Sequence, residues 1–252
     1  MSAKQILPLE RIVVPVDAMQ SLDFLIDVER YRFAARYVAG KRILDIASGA
    51  GYGSSMLLTS GGAASVIGVD CSAEAIAAAQ DKYGSPRLQF YTGIAEEIPL
   101  SSESIDVAVS IETFEHLHNP TLLLRELHRV LVPGGVVMLS TPRNESATRL
   151  HPANPFHIRE YSWDEFGETL QSVFPHHERW SQVTTYADPL LSPSVDRASA
   201  PTRALLRKIL PQRVRQGLRR AVGSPGLIPA RSEITRGMDP LADVQVAICY
   251  KN

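Results

Sequence analysis

Residues 42–55 read Arg-Ile-Leu-Asp-Ile-Ala-Ser-Gly-Ala-Gly-Tyr-Gly-Ser-Ser, an apolar run that ends in a turn with Gly49, Gly51 and Gly53 at alternate positions. The run has the make-up of a buried strand, and a helical stretch follows the last glycine. Glycine tolerates positive φ and carries no Cβ, so a ligand can lie against the peptide planes with a helix N-terminus behind it. The spacing narrows the choice of ligand. A dinucleotide fingerprint starting at Gly49 needs Gly or Ala at position 54, where Ser54 stands. A Walker-type phosphate loop needs Gly-Lys-Ser/Thr, and none follows.

Working outward, the next apolar run, SVIGVD at 65–70, ends in Asp70, 25 residues after Asp45. An acid at the tip of a second strand can accept hydrogen bonds from both hydroxyls of a ribose; it can equally cap the helix AEAIAAAQ that follows, and the two roles are compatible. From Arg42 onward short β-rich runs alternate with helical patterns, the signature of βαβ units. Seven strands are expected: RILDIA, SVIGVD, LQFYTG, IDVAVSI, VVMLST, ERWSQV and VQVAICY. The fold class is therefore α/β, a Rossmann-like seven-stranded and mostly parallel sheet with helices on both faces and an antiparallel last strand. Ser72 caps the helix after Asp70, and Ser162 caps SWDEFGETLQSVF. The stripe of PTLLLRELHRVLVPGG predicts a helix that stops at Pro133-Gly134-Gly135. DVERYRFAARYVAG, before Arg42, reads as a helix that either covers the ligand cleft or caps the sheet edge. The expected organisation is a helical cover over 1–40, the ligand-binding core over 41–188, a basic helical insertion over 189–240 and the final strand over 241–252.

From about Glu29 to Tyr161 these residues resemble the class I S-adenosylmethionine (SAM) dependent methyltransferases. The family's D/E-x-G-x-G-x-G is matched by Asp45-x-Ala47-x-Gly49-x-Gly51, with Ala47 in place of the first glycine, a departure expected to tighten the turn. The form DIASGxGYG looks like a branch that modifies glycans and related metabolites. The resemblance implies SAM as cofactor. It implies that Ala47, Ser48, Gly49 and Gly51 form the loop against the methionyl and ribose parts, that Asp45 orders this loop and the amino group, and that Asp70 takes the ribose. Cys71 would lie beside the adenine, although a packed small hydrophobe accounts for it equally well. The family's G-D-A-E-x-L-P segment is seen as Gly93-Ile94-Ala95-Glu96-Glu97-Ile98-Pro99. Ile94 replaces the Asp that recognises the adenine amino group, so that contact falls to another residue such as Glu96, while the N–H of Ala95 can still meet the ring. After strand four, SIETFEHLHNP is similar to the family segment that walls the sulfonium, which carries over to Ile111 and Glu112.

Methyl transfer is an in-line displacement, and an alcohol acceptor benefits from a general base, most often His or a carboxylate. His116 stands four residues after Glu112, so a helix would put both on one face; a structural or gating role is the alternative. His157 lies in the long loop STPRNESATRLHPANPFHIREYSWDEF after strand five, as a second base or as a loop anchor to Glu160. NPFHIREYS again looks like glycan-pathway methyltransferases, which makes a small-molecule or glycan acceptor the expected partner. Some sugar methyltransferases use a divalent ion to bind vicinal hydroxyls; no local spacing among the histidines supports one here, and no metal ligand is assigned.

The whole chain fits this frame. Its 252 residues are 44% hydrophobic and 21% charged, the balance of a globular protein. Two cysteines make no disulfide framework, and no signal or membrane-spanning run is present, which points to the cytoplasm. The net charge is −1, yet nine Arg or Lys and no acid lie between Arg197 and Ser232. Within that segment Leu206, Leu210, Val214, Leu218 and Val222 recur every fourth residue. Such a stretch can lie on an anionic membrane, grip a phosphorylated acceptor, close as a lid or simply pack on the domain. It lacks the interleaved aromatics that stack on nucleic acid.

Overall fold

A computed structural model describes residues 22–152, 154–187 and 228–252. The chain forms two compact units, one of Met1–Val183 with Glu233–Asn252 and one of Thr184–Ser232. In the larger unit, helix α1 (Leu22–Ala34) precedes β1 (Arg42–Ile46), α2 (Tyr52–Thr59), β2 (Ser65–Asp70), α3 (Ala73–Tyr83) and β3 (Leu88–Thr92). Then come β4 (Ile105–Ile111), α4 (Pro120–Val130), β5 (Leu131–Pro142), α5 (Trp163–Gln171), β6 (His177–Ala187), β7 (Ile228–Arg236) and β8 (Val244–Tyr250). Of the smaller unit, the described residues are the ends of β6 and β7, where the Thr184 and Ser232 hydroxyls lie 3.2 Å apart.

The sheet has eight strands in the order β3-β2-β1-β4-β5-β8-β6-β7, not the seven expected. The additional strand is β7, within the 189–240 stretch read as helical. Its sequence IPARSEITR mixes apolar, charged and Pro residues, so it carries no clear period of two. Residues 188–227, with the apolar stripe from Leu206 to Val222, lie outside the described residues.

β1 to β5 run parallel, and β8 is antiparallel to both β5 and β6, as expected for the last strand. Register sorts the side chains into two cores. Ile43, Val107 and Val136 are aligned on one face, and Leu44, Ala108 and Val137 on the other. Both faces are covered, so the central strands β1, β4 and β5 are buried along most of their length and do not alternate. α4 buries Leu123, Leu124, Leu127 and Val130 in the second core, and stops at Val130. Pro133-Gly134-Gly135 lies beyond the helix, inside β5, where the pairing with β4 slips between Ile105 and Val107.

Strand order reverses between β1 and β4. β2 and β3 lie to one side of β1, and the crossover after β3 returns the chain to the other side. In such sheets the crevice outside the carboxyl ends at this switch point is where ligands bind. The glycine turn follows β1 and Glu112 follows β4, so both edges of that crevice come from the motifs read in the sequence. Among the described residues no helix is long and apolar enough to cross a membrane.

Candidate active site

The three glycines do three different things. Gly51 caps α2 with φ of 78°, and a Cβ there would stand 2.7 Å from Ala79 Cβ and 2.8 Å from Phe90 Cζ. A Cβ on Gly53 would fall 1.9 Å from the Tyr31 ring. Gly49, at φ of 50°, faces open space, with no atom within 4 Å of where its Cβ would be. This is the surface a ligand can approach. Ala47 keeps the left-handed backbone a glycine would adopt, with φ of 60°, at a cost of ~1 kcal/mol or more for an L-residue.

Asp45 is fully buried under this turn. It accepts hydrogen bonds from Ser54 Oγ at 2.6 Å and from the Tyr31 hydroxyl at 3.2 Å, so it ties α1, β1 and α2 together. Burial, against those two hydrogen bonds, pushes its carboxyl up to about 7. Asp70 accepts from Gly49 N at 2.8 Å and from Ser72 N at 2.9 Å. It therefore fixes the glycine turn and the start of α3 at once, and its two oxygens retain acceptor capacity beyond those bonds. Ser48 is buried and its Oγ has no hydrogen-bond partner among the described residues. Beside Asp70, Gly93 N donates to the Asp70 carbonyl at 3.0 Å and sets the turn that carries half-buried Ala95 and Glu96. Cys71 is exposed, and Ile94 is 49% exposed.

Across the switch point, Ile111 is buried and Glu112 has φ of 50°. Glu112 Oε1 accepts from Ser140 Oγ at 3.0 Å and lies 3.3 Å from Arg30 Nη1. Arg30 is buried, pairs with Asp27 at 2.6 Å and donates through Nε to Gln182 at 2.6 Å. Despite its burial the guanidinium is held charged by Glu112, Asp27 and Glu115. Arg30 and Tyr31 were not singled out in the sequence; the signal for Arg30 is the i,i+3 pair with Asp27 on a helix. Of the two positions open to the helix before Arg42, the contacts from Tyr31 to Asp45 and from Arg30 to Glu112 put α1 over the carboxyl ends of the strands.

Glu112 and His116 do not share a helix face. Glu112 is left-handed, Thr113 has φ of −122°, and only Phe114–His116 form a short 3-10 turn. His116 instead meets His157, the two rings edge to face at 5.1 Å. His116 Nδ1 is 2.9 Å from the Phe156 carbonyl oxygen, which can only accept. The ring proton is therefore on Nδ1, and Nε2 keeps a lone pair, 3.8 Å from Glu115 Oε1. His157 is bonded at both nitrogens. Nδ1 lies 2.9 Å from Glu160 Oε1, and Nε2 accepts from Asn154 Nδ2 at 3.0 Å. Between the two roles left open for His157, this geometry is that of a loop anchor.

Glu115 is buried, and it fastens the same loop: its carbonyl accepts from Ile158 N at 2.8 Å and Arg159 N at 3.3 Å. Oε2 accepts from Thr141 Oγ1 at 2.8 Å, while Oε1 has no hydrogen-bond partner among the described residues. Burial and the nearby Glu112 hold this carboxyl well above the usual carboxylate range. One ligand atom from each of Glu115, His116 and His157 lies within 4.8 Å of the others. No local spacing announces this group, since β4 and β5 bring its members together across 41 residues. His118, His151, His176 and His177 are not part of it.

Comparison with known proteins identifies this architecture. Residues 44–139 match the model of the methyltransferase domain. A demethylmenaquinone methyltransferase of Chlorobaculum parvum is 36% identical over 61% of this chain and 69% of its own length. The chain belongs to the S-adenosylmethionine-dependent methyltransferases. A probable member from Mycolicibacterium smegmatis is 36% identical over 57% of this chain and 55% of that protein, so the match spans about half that relative's length. The YcgJ protein of Bacillus subtilis has the same fold, with a TM-score of 0.60 at 18% identity over 89% of this chain and 99% of that one. The residues of the Asp45–Gly53 turn and its neighbours fit this cofactor. The open face of Gly49, the unpartnered Ser48 Oγ and the spare acceptor capacity of Asp70 lie at one switch point.

Proposed function

We propose that this methyltransferase O-methylates a hydroxyl of a small-molecule acceptor, a sugar or glycan precursor, with His116 as proton acceptor. When bound, SAM supplies a methyl carbon on a sulfonium; an oxygen–carbon bond forms, the sulfur–carbon pair returns to sulfur, and a proton must leave the hydroxyl. His116 carries the proposal, because its Nδ1–H is committed to Phe156 and its Nε2 lone pair is turned toward the group beside the switch point. Gly49, Gly51 and the loop from Ala47 hold the methionyl and ribose parts, and Asp70 takes the ribose hydroxyls. Ile111 and Glu112 wall the sulfonium, with Arg30 keeping Glu112 oriented. Cys71, Ala95 and Glu96 border the adenine. α1 excludes water from the strand ends, which a displacement at carbon requires.

The sugar or glycan acceptor rests on the likeness of DIASGAGYG and NPFHIREYS to glycan-pathway enzymes. The Chlorobaculum relative, named for demethylmenaquinone, favours a second reading, a quinone-type acceptor. The basic stretch within 189–240 suits either a phosphorylated acceptor or an anionic membrane surface.

Two measurements test this. S-adenosylhomocysteine should raise the melting temperature in proportion to its saturation. Incubation with SAM and a panel of sugars, glycan precursors and quinols, scored by mass for one added methylene, should single out a hydroxylated sugar. No thermal shift at saturating ligand removes the cofactor site; methylation confined to the quinols replaces the acceptor assignment.

A further inference from the structure

We propose that Glu115, His116 and His157 form a binding site for a divalent transition-metal ion, on which an acceptor hydroxyl is held. The acceptor's part in this rests on the methyl-transfer reading above; the ion site itself does not.

Three observations support it. The ligand atoms lie within 4.8 Å of one another, and bonds of about 2.0–2.2 Å to a central ion bring such atoms to within ~4.4 Å, so small side-chain rotations close the group. Both imidazoles are arranged as metal-bound histidines are. Each commits Nδ1 to a second partner, His116 to the Phe156 carbonyl and His157 to the Glu160 carboxylate, which leaves Nε2 as the nitrogen to offer an ion. Glu115 Oε1 is buried with no hydrogen-bond partner, 3.8 Å from His116 Nε2. That separation is too long for a hydrogen bond, yet two metal–ligand bonds of ~2.1 Å span it. Arg30 makes its close ion pairs with Asp27 and Glu112 and acts on Glu115 only from a longer distance.

One rearrangement is needed. Asn154 Nδ2 must release His157 Nε2 to the ion. Two imidazoles and one carboxylate select ions of the zinc, iron or manganese class, whereas magnesium and calcium take oxygen sets. Three protein ligands leave positions for an acceptor oxygen, whose pKa the ion lowers. In the ion-loaded form the His116 Nε2 lone pair is a ligand and the hydroxyl proton leaves to water; in the ion-free form the same lone pair is the proton acceptor named above. The oxygen's electron pair forms the new bond to the methyl carbon as the sulfur–carbon pair returns to sulfur.

The test uses the full chain, stripped with chelator and desalted, without cofactor or acceptor. Calorimetric titration with Zn²⁺ should show a single saturable site, Mg²⁺ should give no heat, and Co²⁺ should give visible absorption bands from an imidazole-ligated ion. Glu115→Gln and His157→Asn should abolish that site, Glu160→Gln should weaken it by about 10–100-fold, and His176→Ala should leave it intact. Absence of a Zn²⁺ site in the native chain overturns the proposal, whether or not the variants fold. So does a site that Glu115→Gln and His157→Asn leave unchanged, which would be adventitious binding by other histidines. S-adenosylhomocysteine shifts measured in parallel separate a failure here from a failure of the cofactor reading.

Discussion

Asp45 makes the fold of this methyltransferase pH-dependent in a direction opposite to that of most carboxylates. Its side chain is fully buried and its carboxyl sits at about 7, because desolvation outweighs the hydrogen bonds from Ser54 and Tyr31. In the unfolded chain the same group titrates near ~4. Between those values the folded state holds the proton and the unfolded state has released it, so stability falls as pH rises through that window. Each unit is worth about 1.4 kcal/mol, which sets an upper bound of ~4 kcal/mol; relaxation around the buried charge brings the expected loss to roughly 2–3 kcal/mol. Asp45→Asn keeps the shape and removes the titration, since the Ser54 and Tyr31 hydroxyls can each rotate to accept from an amide. Urea unfolding of both proteins from about pH 5 to pH 8 provides the assay, and Glu115, whose carboxyl is also raised, cancels in the difference. The stability of the native protein relative to Asp45→Asn should drop from pH 5 to about pH 7 and level off above it. A flat difference, or one that rises with pH, refutes the argument that desolvation governs Asp45.

Three further outcomes follow from the geometry. Ala47→Gly should raise stability by about 0.5 kcal/mol, the relief of a left-handed alanine less the extra freedom of glycine in the unfolded chain; thermal melting should show an increase of ~1–2 °C with S-adenosylhomocysteine binding retained. Arg30→Met leaves Asp27 and Glu112 without their buried cation and should cost about 3–5 kcal/mol by urea denaturation, with the cofactor-induced shift lost as well. Ser162→Ala breaks the capping box with Glu165 and should cost ~1 kcal/mol, with the shift unchanged because Ser162 belongs to the start of α5 and not to the glycine turn.

What could be read from sequence follows the range of the interactions. The β1 turn, the Ser72 cap and the Ser162–Glu165 box depend on residues a few positions apart, and each forms where its local pattern puts it. Asp70, read as ribose acceptor or helix cap, anchors the glycine turn and holds Ser72, while the cap of α3 is Ser72 itself. The strand β7 is not legible because edge-strand sequences need not alternate and IPARSEITR lies in the stretch whose basic content reads as a helical insertion. Arg30 was missed because a buried arginine contradicts burial statistics until its partners are known, and Glu112 and Gln182 are 82 and 152 residues away. The Glu115–His116–His157 group is legible only once β4 and β5 are neighbours.

Backbone strain locates the working part of the crevice more sharply than polarity does. Among the described residues three other than glycine are left-handed: Ala47, Glu103 and Glu112. Glu103 belongs to an exposed turn, but Ala47 and Glu112 follow β1 and β4, the two strands that flank the switch point. The sharp turns there carry the chain off the strand ends so that Gly49 N reaches Asp70, and Glu112 N reaches Ser140 at 3.2 Å. At 47 the side chain is a methyl with no assigned contact, so nothing there opposes relief of the strain. At 112 the same left-handed backbone carries the carboxylate that Arg30 and Ser140 hold, and a glycine would remove strain and anchor together. The cost is retained at 112 because the side chain needs that backbone to turn into the crevice, which is the pattern expected where strain serves a site.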